Sequence, residues 1–284
     1  MQHIGIVTDS TCDLQPAELA RLQVAMVPLT IHFGDEHSRD WIDLTPDRFY
    51  AKLATSPVLP TTSQPSPAEF GVVYQSLADA GADEIVSIHL SAALSGTLQS
   101  ATLAAKSAPV PVRVVDSKRV SQATGLIVKE AVKARDAGAD ARGVEERALE
   151  ISATCRLYFL LDTLEFLVKG GRAGKAAGLA ASLLNIKPVL RVNDDGVIEP
   201  FKKVRGRQQA LAALAAHFAE DSRENGRMRA ALLHASCPDG ARDLENAISA
   251  AGADVEWDSH GSIGAVVGVY TGPGAVGCAY FPIG

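Results

Sequence analysis

The feature that most constrains this chain is an alternation in its first half. Short runs rich in β-branched residues (4–7, 24–33, 84–89 and 112–115) are separated by segments of helical character: 16–22, a helix opened by Thr45-Pro46 and running to Leu53, 69–80, one starting near Thr97, and 122–136. Strands alternating with helices predict βαβ units and a parallel sheet, because a parallel return needs a crossover long enough to hold a helix. Ligands on such sheets sit where strand C-termini meet helix N-termini. Three loops fall at that edge: TDSTCD after Val7, LSAALSGT after His89 and DSK after Val115. All three are rich in hydroxyls.

The second half has a different rhythm. Residues 156–160 read as a strand, 163–169 as a helix and 176–184 as a helix of small residues. Residues 187–192 and 197–204 flank Asn-Asp-Asp-Gly, a strong hairpin signal. Helices 208–219 and 241–250 then alternate with strands 228–234 and 254–257. A length of 284 residues fits two domains. The expectation is an α/β protein with an N-terminal parallel-sheet α/β domain over 1–155 and a smaller C-terminal α+β domain over 156–284.

Composition narrows the class. With 47% hydrophobic and 21% charged residues the chain is globular, which excludes disorder and collagen. A net charge of −6 argues against broad nucleic-acid binding, which needs a basic footprint. Cys12, Cys155, Cys237 and Cys278 are far apart in sequence, so no zinc pair exists, and they read as reduced thiols of a cytoplasmic protein. The first residues enter a strand directly, without the pattern of a secretory signal. The longest stretch free of Asp, Glu, Lys and Arg, 259–284, holds seven glycines and two prolines. It reads as a glycine-rich core rather than a membrane span.

The chemical motifs are mostly negative. Walker A, HExxH and GxSxG patterns are missing. Gly272-Pro-Gly274-Ala-Val-Gly277 matches GxGxxG literally, but too close to the end of the sequence for a βαβ unit to follow, and reads as a tight turn. His89 lies in an apolar strand and reads as core, and a Ser95/His89/Asp116 triad has no support in the spacing. Residues 60–66, PTTSQPS, carry four hydroxyls and an amide. The SAALSGT segment, 91–97, opens a helix after a strand, where free N–H groups favour an anion; Ser95 is also a good N-cap. Between Lys169 and Arg207 nine Lys/Arg face three Asp/Glu, a local +6 against −12 elsewhere, which suits phosphate chemistry or an acidic partner.

Taken in order, GIVTDSTCDL, PTTSQPSP, IHLSAALSGTLQSA, VVDSK, FLVKGGRAG, LLNIKPVL, DGVIEPFKKVRG and IGAVVGVYTGPGAVG resemble the DegV family of bacterial fatty-acid-binding proteins over nearly the whole chain. The resemblance implies a lipid tunnel between or within the two domains that holds one long-chain fatty acid. It also implies a role as the acyl-carrying subunit of a fatty acid kinase in phospholipid metabolism, without catalysis of its own and without a cofactor. A separate ATP-dependent kinase subunit would phosphorylate the bound carboxylate to acyl phosphate. Transient membrane contact without a membrane span fits that role. By the same resemblance Thr62 and Ser95 bind the carboxylate, with Ser63 and Gly96 adding donors, and Arg172 and Arg205 serve phosphotransfer or partner docking. One departure stands out: the histidine usual two residues before GPG is Tyr270 here, which keeps a hydroxyl donor without histidine's charge. Leu98 replaces a common aromatic residue. Two other functions follow from the residues: a fatty-acid carrier or sensor with no kinase partner, and a stand-alone enzyme on a small phosphorylated or hydroxy-acid substrate.

Overall fold

A computed structural model describes residues 3–182 and 186–283. The chain runs β1 (Ile4–Asp9), α1 (Pro16–Arg21), β2 (Val24–Val27), β3 (Thr30–Phe33), β4 (Glu36–Arg39), α2 (Pro46–Thr55), β5 (Thr61–Ser63), α3 (Pro67–Asp79), β6 (Glu84–His89), α4 (Thr97–Ala105), β7 (Val112–Asp116), α5 (Gln122–Asp136) and α6 (Ala141–Thr154). It continues with β8 (Arg156–Leu160), α7 (Glu165–Lys169), a 3-10 stretch (Gly174–Ser182), β9 (Ile186–Val192), β10 (Ile198–Arg205), α8 (Arg207–Asn225), β11 (Met228–His234), α9 (Pro238–Ala250), β12 (Val255–Ser262), α10 (Ala265–Thr271) and β13 (Val276–Pro282).

Three sheets result. The first has the order β2-β1-β6-β7 and is parallel throughout, as the alternation predicts. Its central strand β1 is buried at every position, as expected for a parallel strand covered on both faces. The second is six-stranded and mixed, in the order β10-β9-β8-β13-β11-β12. The third is a small antiparallel sheet, β4-β3-β5.

The layers follow from which side chains share a core. Val7, Val27 and Ile85 pack with Phe70 and Tyr74 of α3 on the outer face of the first sheet. Ile4, Ile6, Val86 and Ile88 face the other way, into a core shared with α5, α6 and the inner face of the second sheet. That inner face includes Leu157, Phe159, Leu233, Ala279 and Phe281. The outer face, with Tyr158, Leu160, Leu232 and Tyr280, is covered by Leu214 and Phe218 of α8 and Leu244 and Ile248 of α9. Helices α5 and α6 are thus the filling between two sheets. This is why α5 is buried without a break from Gln122 to Val132. Its two charges in that run are paired: Lys129 with Glu18 and Asp258, Glu130 with Lys133, Arg147 and Arg229.

Several sequence expectations change. The single strand at 24–33 is two strands in different sheets. Pro28 has no N–H to continue a ladder, and the N–H of Leu29 is taken by Ser10 Oγ at 3.1 Å. The Pro/Ser/Thr loop at 57–67 contains β5, which pairs with β3. The Asn-Asp-Asp-Gly hairpin is present as β9 and β10, but it forms one edge of a large sheet. Strand β13, not foreseen, fills the middle of that sheet, antiparallel to β8 and β11. Helix α6 was also not foreseen, although Asp140 caps it by accepting the Gly143 N–H at 2.8 Å. The small-residue helix expected at 176–184 is 3-10 over its described part, and its end at Leu183-Leu184 lies outside the described residues. The charge-free segment 259–284 holds the end of β12, α10 and β13, and no described helix is long and apolar enough to cross a membrane. Gly272-Pro-Gly274 is the tight turn into β13, with positive φ at both glycines.

His89 sits in the core, as its strand context suggests. Its Nδ1 meets Asp9 Oδ2 at 2.9 Å and its Nε2 meets Ser87 Oγ at 2.7 Å, and Ser87 Oγ also meets Tyr74 OH at 2.9 Å. All of these groups, Tyr74 included, are fully buried in the core, out of reach of a substrate. Asp116 instead accepts the N–H groups of Ala92 and Lys118, so the Ser95/His89/Asp116 triad does not form. His89→Ala is expected to cost about 3–5 kcal/mol by leaving a buried carboxylate and a hydroxyl without their partner. Urea unfolding measures that loss.

Candidate functional site

The layers leave a gap beyond the N-terminal end of α5, where helices no longer hold the two sheets apart. A cavity of about 250 Å³ occupies it. Its walls come from every part of the fold: Leu90 and Leu94 after β6, Val120 before α5, Leu157 and Phe159 of β8, Leu233 of β11, and Val266 and Val267 of α10. Most of the lining is apolar, and the polar groups collect at one end.

That polar end joins four sequence-distant segments. β5 supplies Thr62, α10 supplies Tyr270 and the loop before α4 supplies Ser95, with Arg172 coming from the turn after α7. Thr62 Oγ1 and Tyr270 OH are 2.6 Å apart. The Arg172 guanidinium lies over the Tyr270 ring, 5.1 Å from its centroid, and donates to the carbonyls of Leu94 at 3.2 Å and Gly170 at 3.0 Å. A cation is therefore fixed at the mouth by main-chain acceptors rather than by a carboxylate. Ser95 Oγ is 2.9 Å from Thr97 Oγ1 and accepts the Thr97 N–H at 3.3 Å. Gly96, not Ser95, holds the N-cap position of α4.

The expected residues divide. Thr62, Ser95, Tyr270 and Arg172 come together at the mouth. Gly96 lies behind them: a Cβ there would come 2.2 Å from Gln64 Oε1, so a larger residue would expel Gln64, which also lines the cavity. Ser63 lines the cavity too, but its hydroxyl meets His32 Nε2 at 2.9 Å, as alternation along β5 from Thr62 requires. Arg205 is exposed at the end of β10 and is not among the lining residues. Within the basic stretch, Lys169, Lys175, Arg191 and Arg207 are paired with Glu165, Glu199 and Asp162, whereas Lys202 and Lys203 are exposed.

A second hollow of about 180 Å³ lies against the mouth and shares Thr62, Arg172 and Tyr270 with the cavity. Lys169, Gly170 and Leu59 complete its wall. Arg172 and Tyr270 thus stand between the mostly apolar cavity and this second hollow, a vestibule of mixed lining.

Three buried carboxylates, Asp9, Asp13 and Asp40, lie behind the cavity lining. Ser121, which lines the cavity, donates to Asp13 Oδ2 at 2.5 Å, and Thr11, also in the lining, donates to Asp9. Asp40 Oδ1 accepts the Ala265 N–H at 3.0 Å. Burial pushes the Asp40 carboxyl up to about 7, against the opposing pull of Ser10 and the N–H groups of α10. Burial also raises Asp13, against hydrogen bonds from Ser121 and Gly264. The motif reading missed Asp40 and undervalued Asp13, because their partners are main-chain N–H groups that leave no side-chain signature. The apolar wall was legible only as core: Leu157 and Phe159 alternate along β8 as any inward-facing pair does.

The fold and this mouth define a three-sheet α/β protein with a mostly apolar cavity that carries hydroxyls and one arginine at its mouth. A family model described as uncharacterised proteins of the DegV family matches residues 3–282. A DegV domain-containing protein of Streptomyces coelicolor is 38% identical over 277 residues, covering 97% of each chain. Among solved structures, a fatty-acid-binding DegV family protein from Thermus thermophilus superposes with a TM-score of 0.93 at 35% identity, covering 99% of this chain and 100% of that one. DegV of Bacillus subtilis, described as a fatty acid binding protein, gives 0.90 at 32% identity with full coverage of both chains. The chain belongs to the DegV family.

Two outcomes are expected. Thr62→Val and Tyr270→Phe remove opposite halves of one hydrogen bond, so their effects on stability are non-additive, with a coupling of about 0.5–1.5 kcal/mol in a double-mutant cycle. The raised Asp40 carboxyl gives stability that is full below its ordinary value and lost as pH rises through about 7. Urea midpoints of the wild type therefore fall from about pH 4 to pH 7, and Asp40→Asn reduces that fall.

Proposed function

We propose that this protein binds one long-chain fatty acid, with its tail in the cavity and its carboxylate at the mouth, and presents the carboxylate to a separate kinase subunit for phosphorylation to acyl phosphate. The observation that carries the reading is the union of an apolar cavity with a mouth where Thr62, Ser95, Tyr270 and Arg172 converge. DegV relatives of solved structure that bind fatty acids support it.

Each part has a task. The tail supplies affinity, at about 0.8 kcal/mol per buried methylene, or roughly 10 kcal/mol for a sixteen-carbon chain before ordering costs. The hydroxyls of Thr62, Ser95 and Tyr270 donate to the carboxylate, which loses water on entry and needs replacement donors. The backbone at Gly96 admits the close approach of Gln64, and Ser63 holds β5 in place through His32. Arg172 balances the ligand's charge from its seat between cavity and vestibule. The partner's ATP reaches the carboxylate from the vestibule side. A carboxylate oxygen then attacks the terminal phosphorus, the bond to the bridging oxygen breaks, and ADP leaves. This chain contributes position and charge and carries out no chemistry alone. Arg205, exposed on β10 with Lys202 and Lys203, serves partner docking.

A second reading, a carrier or sensor that meets no kinase, is favoured by Tyr270. The hydroxyl preserves carboxylate binding but brings no cation of its own to the developing charge.

Native mass spectrometry of purified protein, followed by lipid extraction, is expected to show one fatty acid per chain. Thr62→Ala/Ser95→Ala is expected to lose it while staying folded by circular dichroism. Folded protein that carries no lipid and refuses both palmitate and oleate would sink the reading. Acyl phosphate formed on adding a cognate fatty acid kinase subunit and ATP selects the kinase role; its absence with bound lipid selects the second reading.

A further inference from the structure

Three motifs of the sequence meet beside the cavity: the SAALSGT segment after β6, the DSK segment at the end of β7 and the Asn-Asp-Asp-Gly turn between β9 and β10. Ser91 is the meeting point. Its hydroxyl donates to the Gly196 carbonyl at 2.9 Å and accepts the Ala93 N–H at 3.2 Å, and its own N–H donates to the Arg119 carbonyl at 2.8 Å. Arg119 reaches the same turn, donating to the Asn193 carbonyl at 2.8 Å and to Asp194 Oδ1 at 3.3 Å. Ser91, Arg119 and Gly196 are all buried. The fit at Gly196 is closed: its φ is +76°, and a Cβ there would collide with the Ser91 hydroxyl.

The turn is held in shape by its own bonds. Asn193 Oδ1 accepts the N–H groups of Asp195 at 3.1 Å and Val197 at 3.0 Å, and the Asn193 carbonyl accepts the Gly196 N–H at 2.9 Å. From Ser91 the contact passes to the mouth in one step. The Ser91 carbonyl accepts the N–H groups of Leu94 at 3.0 Å and Ser95 at 3.2 Å. Leu94 lines the cavity and its carbonyl takes the Arg172 Nε–H, while Ser95 stands at the mouth. Asp116 steadies the same loop by accepting the Ala92 N–H at 3.3 Å. Neither Ser91 nor Gly196 is among the residues that line the cavity. A short loop that carries a mouth hydroxyl is thus tied to the C-terminal half of the chain through Ser91 at its start and Arg172 at its end.

We infer that the β9–β10 turn is a clasp for head-group recognition: Gly196 and Ser91 are positioning residues that set where the Ser95 hydroxyl stands, so the preference for a carboxylate over a neutral head depends on a turn that does not touch the ligand. The inference rests on the carrier reading above. Without the clasp the 91–95 loop keeps its local turn but loses its place beside Arg172 and Thr62, and the Ser95 donor moves away from the carboxylate. The tail wall built by β8, β11 and α10 stays in place. The loss therefore falls on the head and spares the tail. By reciprocity a bound carboxylate tightens the clasp.

The test compares oleate with oleyl alcohol, which has the same tail and no carboxylate, on lipid-stripped protein. Ser91→Ala removes the hydroxyl of the clasp, and Gly196→Ala drives the turn off it. Each is expected to weaken oleate about fivefold or more while oleyl alcohol changes less than about twofold. The double variant is expected to bind no worse than Gly196→Ala alone, because both changes break one contact. The carbon-13 signal of carboxyl-labelled oleate should move in both single variants toward its position in Ser95→Ala, a readout of the head that a general loss of packing would not give. Equal loss of both ligands, or oleate bound as by wild type with its carboxyl signal unmoved, would overturn the inference and leave the carrier reading intact. If neither variant folds, hydrogen exchange in wild type decides: oleate is expected to slow the amides of residues 195–197, and exchange indifferent to oleate overturns the clasp. Folded wild type that binds neither ligand would overturn the carrier reading and the clasp with it.

Discussion

Two carboxylates on the first N–H groups of α10 tie together parts of the chain that are 251 and 225 residues apart. Nothing local demands that contact. The helix has only seven residues, too few to be stable on its own, so its placement is tertiary from the start. A helix start carries unpaired N–H groups, and buried unpaired donors are costly. Carboxylates answer that need more strongly than hydroxyls do, at the expense of their own desolvation. The wall of the cavity and the Tyr270 hydroxyl both inherit their position from this arrangement.

The cavity itself is a consequence of layering. Over most of the molecule α5 and α6 hold the two sheets apart and fill the space between them. Beyond Ser121 that filling stops, while the sheets and their loops continue. The small sheet and α10 close the sides, but neither reaches across. The result is a space whose walls come from the inner faces of strands, and such faces are apolar by the same alternation that builds a core. A cavity for an alkyl chain therefore needs no special residues along its length. Only its mouth requires chemistry.

That distinction explains what was legible in the sequence. The parallel sheet could be read because β1, β6 and β7 are separated by helical segments of ordinary length. Thr62, Ser95 and Arg172 were marked because their motifs occur in order with distinctive spacing. Strand β13 was not, because Gly277, Cys278 and Ala279 give it little β-branched bulk; its place is fixed by β8 and β11 on either side. The break at Pro28 was visible, but not its result, since whether a strand resumes in the same sheet depends on what takes the Leu29 N–H. The anchor on α10 was least legible of all. An aspartate that serves a distant main-chain donor looks, in sequence, like any aspartate in a turn.

The mouth shows how selectivity and charge are divided among neighbours. Thr62 and Tyr270 already satisfy each other at 2.6 Å, so on the proposed reading a carboxylate entering there would replace one good hydrogen bond with charge-assisted ones rather than fill a gap. On that reading these groups set the register of the head and add to the affinity that the tail supplies. Arg172 contributes differently. Its donors are partly spent on the Leu94 and Gly170 carbonyls, which fix its direction, and no carboxylate among the described residues pairs with it. Where a family histidine would bring charge on the same side chain as the donor, this chain separates the two: the hydroxyl on Tyr270, the charge on the guanidinium stacked over its ring. A permanent cation at that point keeps the charge of the mouth constant with pH, which a histidine would not.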